Sequence, residues 1–331
     1  MSRFVVCGAT SWGVTLASLL SLNHEFVSLL TRSSAEAEIL GERRGLERLP
    51  EVSLNARVHV VARPPAAESV RGVIFAVPAQ SLRAAAARFQ GFELVPVLSA
   101  AKGIELATGQ RMSEVLAERW PVRLVAALSG PNLAHEVGRG LPAAAVVASL
   151  GLETAIAWQQ ALATPSFRIY TSSDVVGVEL AGALKNVVAI AAGAAVGLNL
   201  GANAVAAIVT RGLAEITRLG LALGADAATF SGLAGVGDLT VTCFSPLSRN
   251  HRLGELLAAG VSPGVALAQI GEAVEGAATA GVALELAARV GVELPIASEV
   301  AAVLSGTRKV SEAMALLLTR PLGAESRSAS Q

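Results

Sequence analysis

The run Phe4-Val5-Val6-Cys7-Gly8-Ala9-Thr10-Ser11-Trp12-Gly13-Val14 begins with four apolar residues, turns through small ones, and passes into a longer apolar stretch reaching Leu22. A short apolar run that ends in glycine and gives way to helical periodicity reads as a buried parallel strand, a tight loop and a helix. Further short apolar runs lie at 26–30, 73–77, 94–98 and 124–128, separated by longer helical patterns. Their alternation predicts an α/β domain built on a doubly wound parallel sheet. From about Ser172 the strand-like runs stop and Ala/Leu helical periodicity takes over, punctuated by glycines at 232–237 and 254–264.

The loop itself suggests a ligand. In the dinucleotide fingerprint the first glycine makes the turn, the second admits the pyrophosphate and the third lets helix and strand pack. Gly8 and Gly13 take the outer places, and Thr10 stands at the middle one. That side chain would crowd the pyrophosphate unless its hydroxyl serves as a donor. The expected organisation is therefore a Rossmann-type dinucleotide-binding domain over residues 1–172, an all-helical substrate and catalytic domain over 173–322, and a flexible tail at 323–331. An acidic residue about 20 positions after the loop would mark a free ribose 2′-hydroxyl. The second strand ends instead in Thr31-Arg32-Ser33-Ser34. A guanidinium with hydroxyl neighbours suits a 2′-phosphate, so NADP(H) is expected ahead of NAD(H), unless Arg32 is simply a solvated loop residue.

Bulk composition narrows the function classes. A chain of 331 residues favours two packed units with a cleft between them. Basic and acidic residues balance at 26 each, which argues against nucleic acid as the partner. Cys7 and Cys243 stand far apart, with no second pair to suggest a metal site or a disulfide framework, and a cytoplasmic location is expected. The stretch 4–22 is interrupted by glycine and hydroxyl residues where an export signal needs a continuous apolar run. The stretch 187–209 is long enough to span a bilayer, but it is Ala- and Gly-rich and carries Asn199 and Asn203. A buried helix pair, not membrane insertion, is the expectation. A homodimer is expected only from the frequency of such assemblies among soluble enzymes.

Of the 26 basic residues 23 are Arg, and only Lys102, Lys185 and Lys309 are Lys; of the 26 acids only Asp174, Asp226 and Asp238 are Asp. Where charge alone suffices, Arg and Glu are used. A retained lysine therefore raises a chemical question, because it can lose a proton and Arg cannot. Lys185 lies with Asn186 in the middle of a run, 177–190, that is apolar on nearly all sides. Burial there would lower its proton affinity towards the range of a general acid or base. The alternative is a structural ion pair, with Glu179 or Glu215 as partner. Ser245-Pro246 resembles a helix start, which would put Ser248, Arg249 and Asn250 in a first turn able to hold an anion.

Taken together, these segments and Ala101-Lys102-Gly103-Ile104-Glu105, Ser129-Gly130-Pro131-Asn132, Gly182-Ala183-Leu184-Lys185-Asn186, Gly201-Ala202-Asn203, Thr210-Arg211-Gly212, Gly235-Val236-Gly237-Asp238-Leu239, Ser248-Arg249-Asn250 and Val274-Glu275-Gly276 resemble the bacterial NAD(P)-dependent sn-glycerol-3-phosphate dehydrogenases, in family order from about residue 4 to 320. The resemblance implies reversible hydride transfer between a nicotinamide and the middle carbon of dihydroxyacetone phosphate, yielding glycerol 3-phosphate for phospholipid synthesis. It implies Lys185 as the proton donor and acceptor, and a substrate site of Lys102, Gly130, Asn132, Asp238, Ser248, Arg249 and Asn250. On the cofactor side it implies Ser11, Trp12, Arg32, Ala134, Ala273 and Glu275, with Lys102 and Arg249 reaching both ligands.

The chain departs from that pattern at Thr10, at Ala79 where serine is common, at His135 where lysine is common, and at Val196 where many relatives carry Asp. Two other readings stay open at this point. One is a reductase of 2-keto or sugar acids, which would lack a phosphate site. The other is a dinucleotide-binding sensor without turnover, motivated by Thr10 and Val196.

Overall fold

A computed structural model describes residues 3–319, so the tail expected at 323–331 lies outside the described residues. Eight strands form one sheet: β1 (Arg3–Cys7), β2 (Val27–Leu30), β3 (Val58–Val61), β4 (Val70–Phe75), β5 (Val97–Ser99), β6 (Val125–Ser129), β7 (Ala143–Ser149) and β8 (Phe167–Ser172). Their order is β3-β2-β1-β4-β5-β6-β7-β8. The first six run parallel, in the 3-2-1-4-5-6 order of two mononucleotide-binding halves. The sheet is not wholly parallel, because β7 pairs antiparallel with β6 before β8 adds in parallel to β7.

Three strands escape the apolar-run criterion for physical reasons. In β3 the exposed His59 interrupts the run, and β7 is built mostly from alanine, which favours helix when read alone. At the sheet edge, β8 alternates buried Phe167 and Ile169 with exposed Arg168 and Tyr170.

Strand order reverses between β1 and β4, and the crevice at their C-terminal ends is where ligands bind in such sheets. Gly8 lies at that edge with φ +116°, and a Cβ there would sit 2.6 Å from the Ala76 carbonyl oxygen. The helix Ser11–Asn23 starts immediately afterwards and buries Val14, Leu16, Ala17 and Leu20 against one sheet face, while Phe75, Phe89 and Trp120 centre the core on the other.

After β8 the described residues, as far as 319, are helical apart from their connecting turns. The helix Val175–Gly197 runs through the middle of this part and is buried along nearly its whole length, packed by the helices Ala202–Ala222, Asp238–Phe244, Arg249–Ala258 and Glu275–Arg289. Its Val, Leu and Ile side chains each contribute about 1.5–3 kcal/mol on burial, which fixes the helix as the axis of the helical part. It alone among the described helices is long and apolar enough to cross a membrane, but 94% of that apolar window is covered by protein. The stretch 187–209 is not one span: the chain turns at Asn199 and Gly201, both at positive φ, and starts the next helix at Ala202. Against Arg249–Ala258 the backbones almost touch, since a Cβ on Gly193 would lie 1.9 Å from the His251 carbonyl oxygen and one on Gly254 2.0 Å from that of Ile190. This close crossing brings the Arg249 end of one helix beside the Lys185 region of the other.

Candidate active site

Lys185 sits in the middle of the buried helix, with its side chain 7% exposed. Asp238, the first residue of the helix Asp238–Phe244, lies 1% exposed opposite it. Lys185 Nζ donates to Asp238 Oδ1 and, at 2.7 Å, to Thr242 Oγ1. Thr242 is one turn beyond Asp238 on the same face and donates its own hydroxyl to the Asp238 carbonyl oxygen at 2.7 Å. The ion-pair partner of Lys185 is thus neither Glu179 nor Glu215. Glu179 accepts from Arg111 Nη1 and Ser113 N, and Glu215 caps the helix Pro295–Leu304 by accepting from Ile296 N at 2.8 Å.

The other Asp238 oxygen belongs to Lys102. Its Nζ donates to Asp238 Oδ2 at 2.7 Å, Asn132 Oδ1 at 2.7 Å and the Gly130 carbonyl at 2.9 Å. Lys102 and the segment 130–132 come from loops after β5 and β6, whereas Lys185 and Asp238 come from the helical part, so the cluster joins the two halves of the chain. Burial, reinforced by the charge of Lys185, pushes the Lys102 ammonium down to about 8 against the attraction of Asp238. Burial works to raise the Asp238 carboxyl, but Lys102 and Lys185 together outweigh it and hold it below the usual range. Two cations around one anion leave a net positive, water-poor centre, suited to a polar anionic ligand.

An amide chain runs behind this cluster. Gly276 N donates to Asn250 Oδ1 at 3.0 Å, Asn250 Nδ2 to Asn186 Oδ1 at 2.9 Å, and Asn186 Nδ2 to the Lys102 carbonyl at 3.4 Å. Ser248 is the N-cap of Arg249–Ala258, with Oγ accepting from His251 N at 3.2 Å. The helix therefore starts three residues later than Ser245-Pro246 suggests. Arg249 and Asn250 do fall in its first turn, whose leading N–H groups lack intrahelical acceptors. The Arg249 guanidinium is 43% exposed and lies 3.6 Å from Glu272, which faces Arg48 Nε at the same distance.

On the sheet side, Thr10 N-caps the first helix: its Oγ1 accepts from Gly13 N at 3.0 Å and donates to the Ala76 carbonyl at 2.7 Å. The hydroxyl is spent inside the protein and is not the ligand donor that the fingerprint reading allowed. The loop nevertheless fits a dinucleotide. The N–H groups of Ser11 and Trp12 open a 13-residue helix with no intrahelical acceptors, and Trp12 Nε1 is buried without a protein partner. Asn132 Nδ2, at the lysine cluster, is a second buried donor without one. Such atoms are costly unless a ligand or water satisfies them.

The remaining candidates surround this cleft. Ala134 begins a short helix after β6 and its carbonyl accepts from Thr15 Oγ1 at 3.2 Å, bringing it beside the first helix. Ala273 is exposed in the loop before Glu275–Arg289. Glu275 Oε1 accepts from Ala79 N at 3.0 Å across the two halves of the chain, and burial raises its carboxyl above the usual range. Only the backbone of Ala79 is used in that contact. His135 Nδ1 meets Glu51 Oε1 at 2.5 Å. Val196 is 39% exposed and lies three turns, about 16 Å, along the helix from Lys185, so it has no direct part in the cluster. Arg32 is exposed and paired with Glu36. Thr242, Asn186, Glu36 and Arg48 lie outside the site residues that the sequence implies. Thr242 had a signal, its i,i+4 spacing from Asp238. Arg48, which donates to Ser11 Oγ and the Ala9 carbonyl, had none.

Comparison with known proteins identifies the family over most of the chain. Residues 3–155 match the family model for the NAD-dependent glycerol-3-phosphate dehydrogenase N-terminus, and 174–315 match the one for its C-terminus. A Moorella thermoacetica protein named glycerol-3-phosphate dehydrogenase [NAD(P)+] is 45% identical over 320 residues, covering 96% of this chain and 95% of its own. One of the same name from a Bradyrhizobium species is 44% identical over 322 residues, with 97% of each chain covered. The crystal structure of glycerol-3-phosphate dehydrogenase from Coxiella burnetii superposes with a TM-score of 0.88 at 31% identity, covering 96% of this chain and 99% of that one. D-mandelate dehydrogenase, at a TM-score of 0.62 and 14% identity, shares the fold alone. With both halves matched and the two lysines meeting on one aspartate between them, the chain belongs to the NAD-dependent glycerol-3-phosphate dehydrogenase family.

Proposed function

We propose that this oxidoreductase interconverts dihydroxyacetone phosphate and sn-glycerol 3-phosphate with NADP(H) or NAD(H), providing glycerol 3-phosphate for glycerophospholipid synthesis. The observation that carries the reading is the Lys102–Asp238–Lys185 cluster set beside the Arg249 helix N-terminus, inside a chain whose relatives carry that enzyme name. A bound reduced nicotinamide supplies the hydride for the carbonyl carbon. The Ser11 and Trp12 N–H groups, on the loop that Gly8 and Gly13 keep tight and Thr10 caps, would hold its pyrophosphate end, and Ala134, Ala273 and Glu275 would line the remainder.

Lys185 carries out the proton transfer. Its ammonium gives a proton from Nζ to the C2 carbonyl oxygen as the carbon is reduced, and takes the hydroxyl proton back in the opposite direction. Asp238 and Thr242 hold Nζ in place, so little reorganisation is needed at the moment of transfer. Lys102 keeps a cation beside the reacting oxygen, and Asn132 adds its free amide donor. Arg249, with the first-turn N–H groups after Ser248, replaces the water around the substrate phosphate. The carboxamide of Asn250 is bonded at both ends within the protein, so it serves by fixing Asn186 and the start of that helix.

The two cysteines are free and buried, which fits a reducing cytoplasm, and a homodimer is part of the proposal from the prevalence of such assemblies. The reading is tested by the fall in NADPH absorbance on adding dihydroxyacetone phosphate to the purified chain. Tight NADPH binding with no turnover would overturn it in favour of a sensor.

A further inference from the structure

No acidic residue follows β2 at the position where a ribose 2′-hydroxyl is usually received, but the fold brings one there from a helix. Ser33 caps the helix Ser34–Arg43, and its Oγ accepts from Glu36 N at 3.2 Å. Glu36 then folds back over the start of its own helix. Its Oε2 accepts from the Arg32 backbone N at 2.9 Å and from Arg32 Nε at 3.3 Å, and its Oε1 accepts from Arg32 Nη2 at 3.1 Å. A capping-box glutamate ordinarily reaches the N-cap N–H. This one reaches one residue further back and takes the guanidinium as well.

The pair stands at the C-terminal end of β2, next to the glycine loop, since Gly8 N donates to the Leu30 carbonyl at 2.9 Å. In this fold that is the edge facing the adenosine ribose. Burial works against the Glu36 carboxylate, but Arg32 and the more distant Arg48 outweigh it and keep the group ionised at neutral pH. With Arg32 87% exposed, the ion pair can exchange partners at little cost.

We propose that Glu36 sets the choice between the two nicotinamide dinucleotides: its carboxylate accepts a free ribose 2′-hydroxyl, and it opposes a 2′-phosphate both by repulsion and by occupying Arg32. The proposal rests on the dinucleotide site described above. Arg32 is then only half of the selectivity device, and its effect is set by a neighbour four residues on.

The test is calorimetric titration of NADPH, NADH, 2′,5′-ADP and 5′-ADP into the intact chain and into Glu36→Gln and Arg32→Ala. Glutamine keeps an acceptor for Arg32 N and so preserves the helix start, which a thermal midpoint checks independently. Glu36→Gln should shift the ratio of NADH to NADPH dissociation constants about fivefold towards NADPH, the size expected of one exposed charge pair, with 2′,5′-ADP gaining on 5′-ADP alike. Arg32→Ala should shift both ratios the other way. If both dinucleotides bind and Glu36→Gln leaves the ratios unchanged, the proposal is overturned while the dinucleotide site stands. If neither dinucleotide binds the unmodified chain, the site and the proposal fall together.

Discussion

Lys102 and Lys185, 83 positions apart in the chain, donate to opposite oxygens of the Asp238 carboxylate. One comes from the loop after β5, at the C-terminal ends of the strands, and the other from the central helix, so a single aspartate ties the two halves of the chain together where the reaction is proposed to occur. The same contacts decide what happens when any member is changed.

Removing the anion is the harshest test of that geometry. Asp238→Asn keeps the shape but leaves two buried ammonium groups facing each other, and breaking a buried pair in this way costs about 3–5 kcal/mol. Chemical denaturation should register a loss of that order, with the cooperative transition retained. Stability equal to that of the parent would mean that the lysines do not depend on Asp238.

The pH dependence follows from Lys102. Its folded-state value, about 8, lies below the ordinary 10.5, so the folded chain loses this proton first as pH rises. Above about pH 8 the proposed substrate site then lacks one cation, and kcat/KM for the dianionic substrate should fall with a one-proton limb near that pH. By the same linkage Lys102 costs stability below about pH 8, and the cost is relieved between about 8 and 10.5, where the unfolded chain still holds the proton. Lys102→Arg, which cannot deprotonate, should move the activity limb upward. A limb that stays in place in Lys102→Arg would assign it to another group.

Much of this was legible in the sequence because the chain is so sparing with certain residues. Lys185, Lys102 and Asp238 stand out where nearly all other charges are Arg and Glu, and the apolar surroundings of Lys185 announced its burial. Its partner was not legible, because Glu179 and Glu215 lie nearer on apolar helical patterns while Asp238 arrives only through the packing of a separate short helix. Five of the six parallel strands, β1, β2, β4, β5 and β6, follow from the alternation of apolar runs and helices, and β3 does not. The antiparallel turn-back of β7 depends on alanines whose strand state only the neighbours β6 and β8 impose. Glu36 was missed for a related reason: it lies beyond the end of β2 and reaches back only once its helix has formed.

Arg249 separates a phosphate-binding enzyme from a reductase of unphosphorylated acids. A guanidinium hydrogen-bonded to a charged group is worth about 1.5–3 kcal/mol, so Arg249→Ala should raise KM for dihydroxyacetone phosphate about 10- to 100-fold. Steady-state kinetics with the phosphorylated ketone decides it. An unchanged KM would place the phosphate elsewhere.

Thr10 is assigned to the scaffold, not to the ligand, because its hydroxyl caps the first helix and bonds Ala76. Thr10→Ala should therefore cost about 1 kcal/mol of stability, the usual worth of an N-cap, with little change in NADPH affinity. Denaturation and nucleotide titration on the same variant check both halves. Undiminished stability with lost NADPH binding would return the hydroxyl to the ligand.

The central claim is that Lys185 moves the substrate proton, and single-turnover and steady-state rates of Lys185→Ala, measured beside its NADPH dissociation constant, test it most directly. General acid catalysis by a positioned group is worth about 100- to 10,000-fold, so kcat should fall at least that far while NADPH binds as it does to the parent. A variant that turns over dihydroxyacetone phosphate within a few-fold of the parent rate would contradict the claim, whatever its affinity for NADPH.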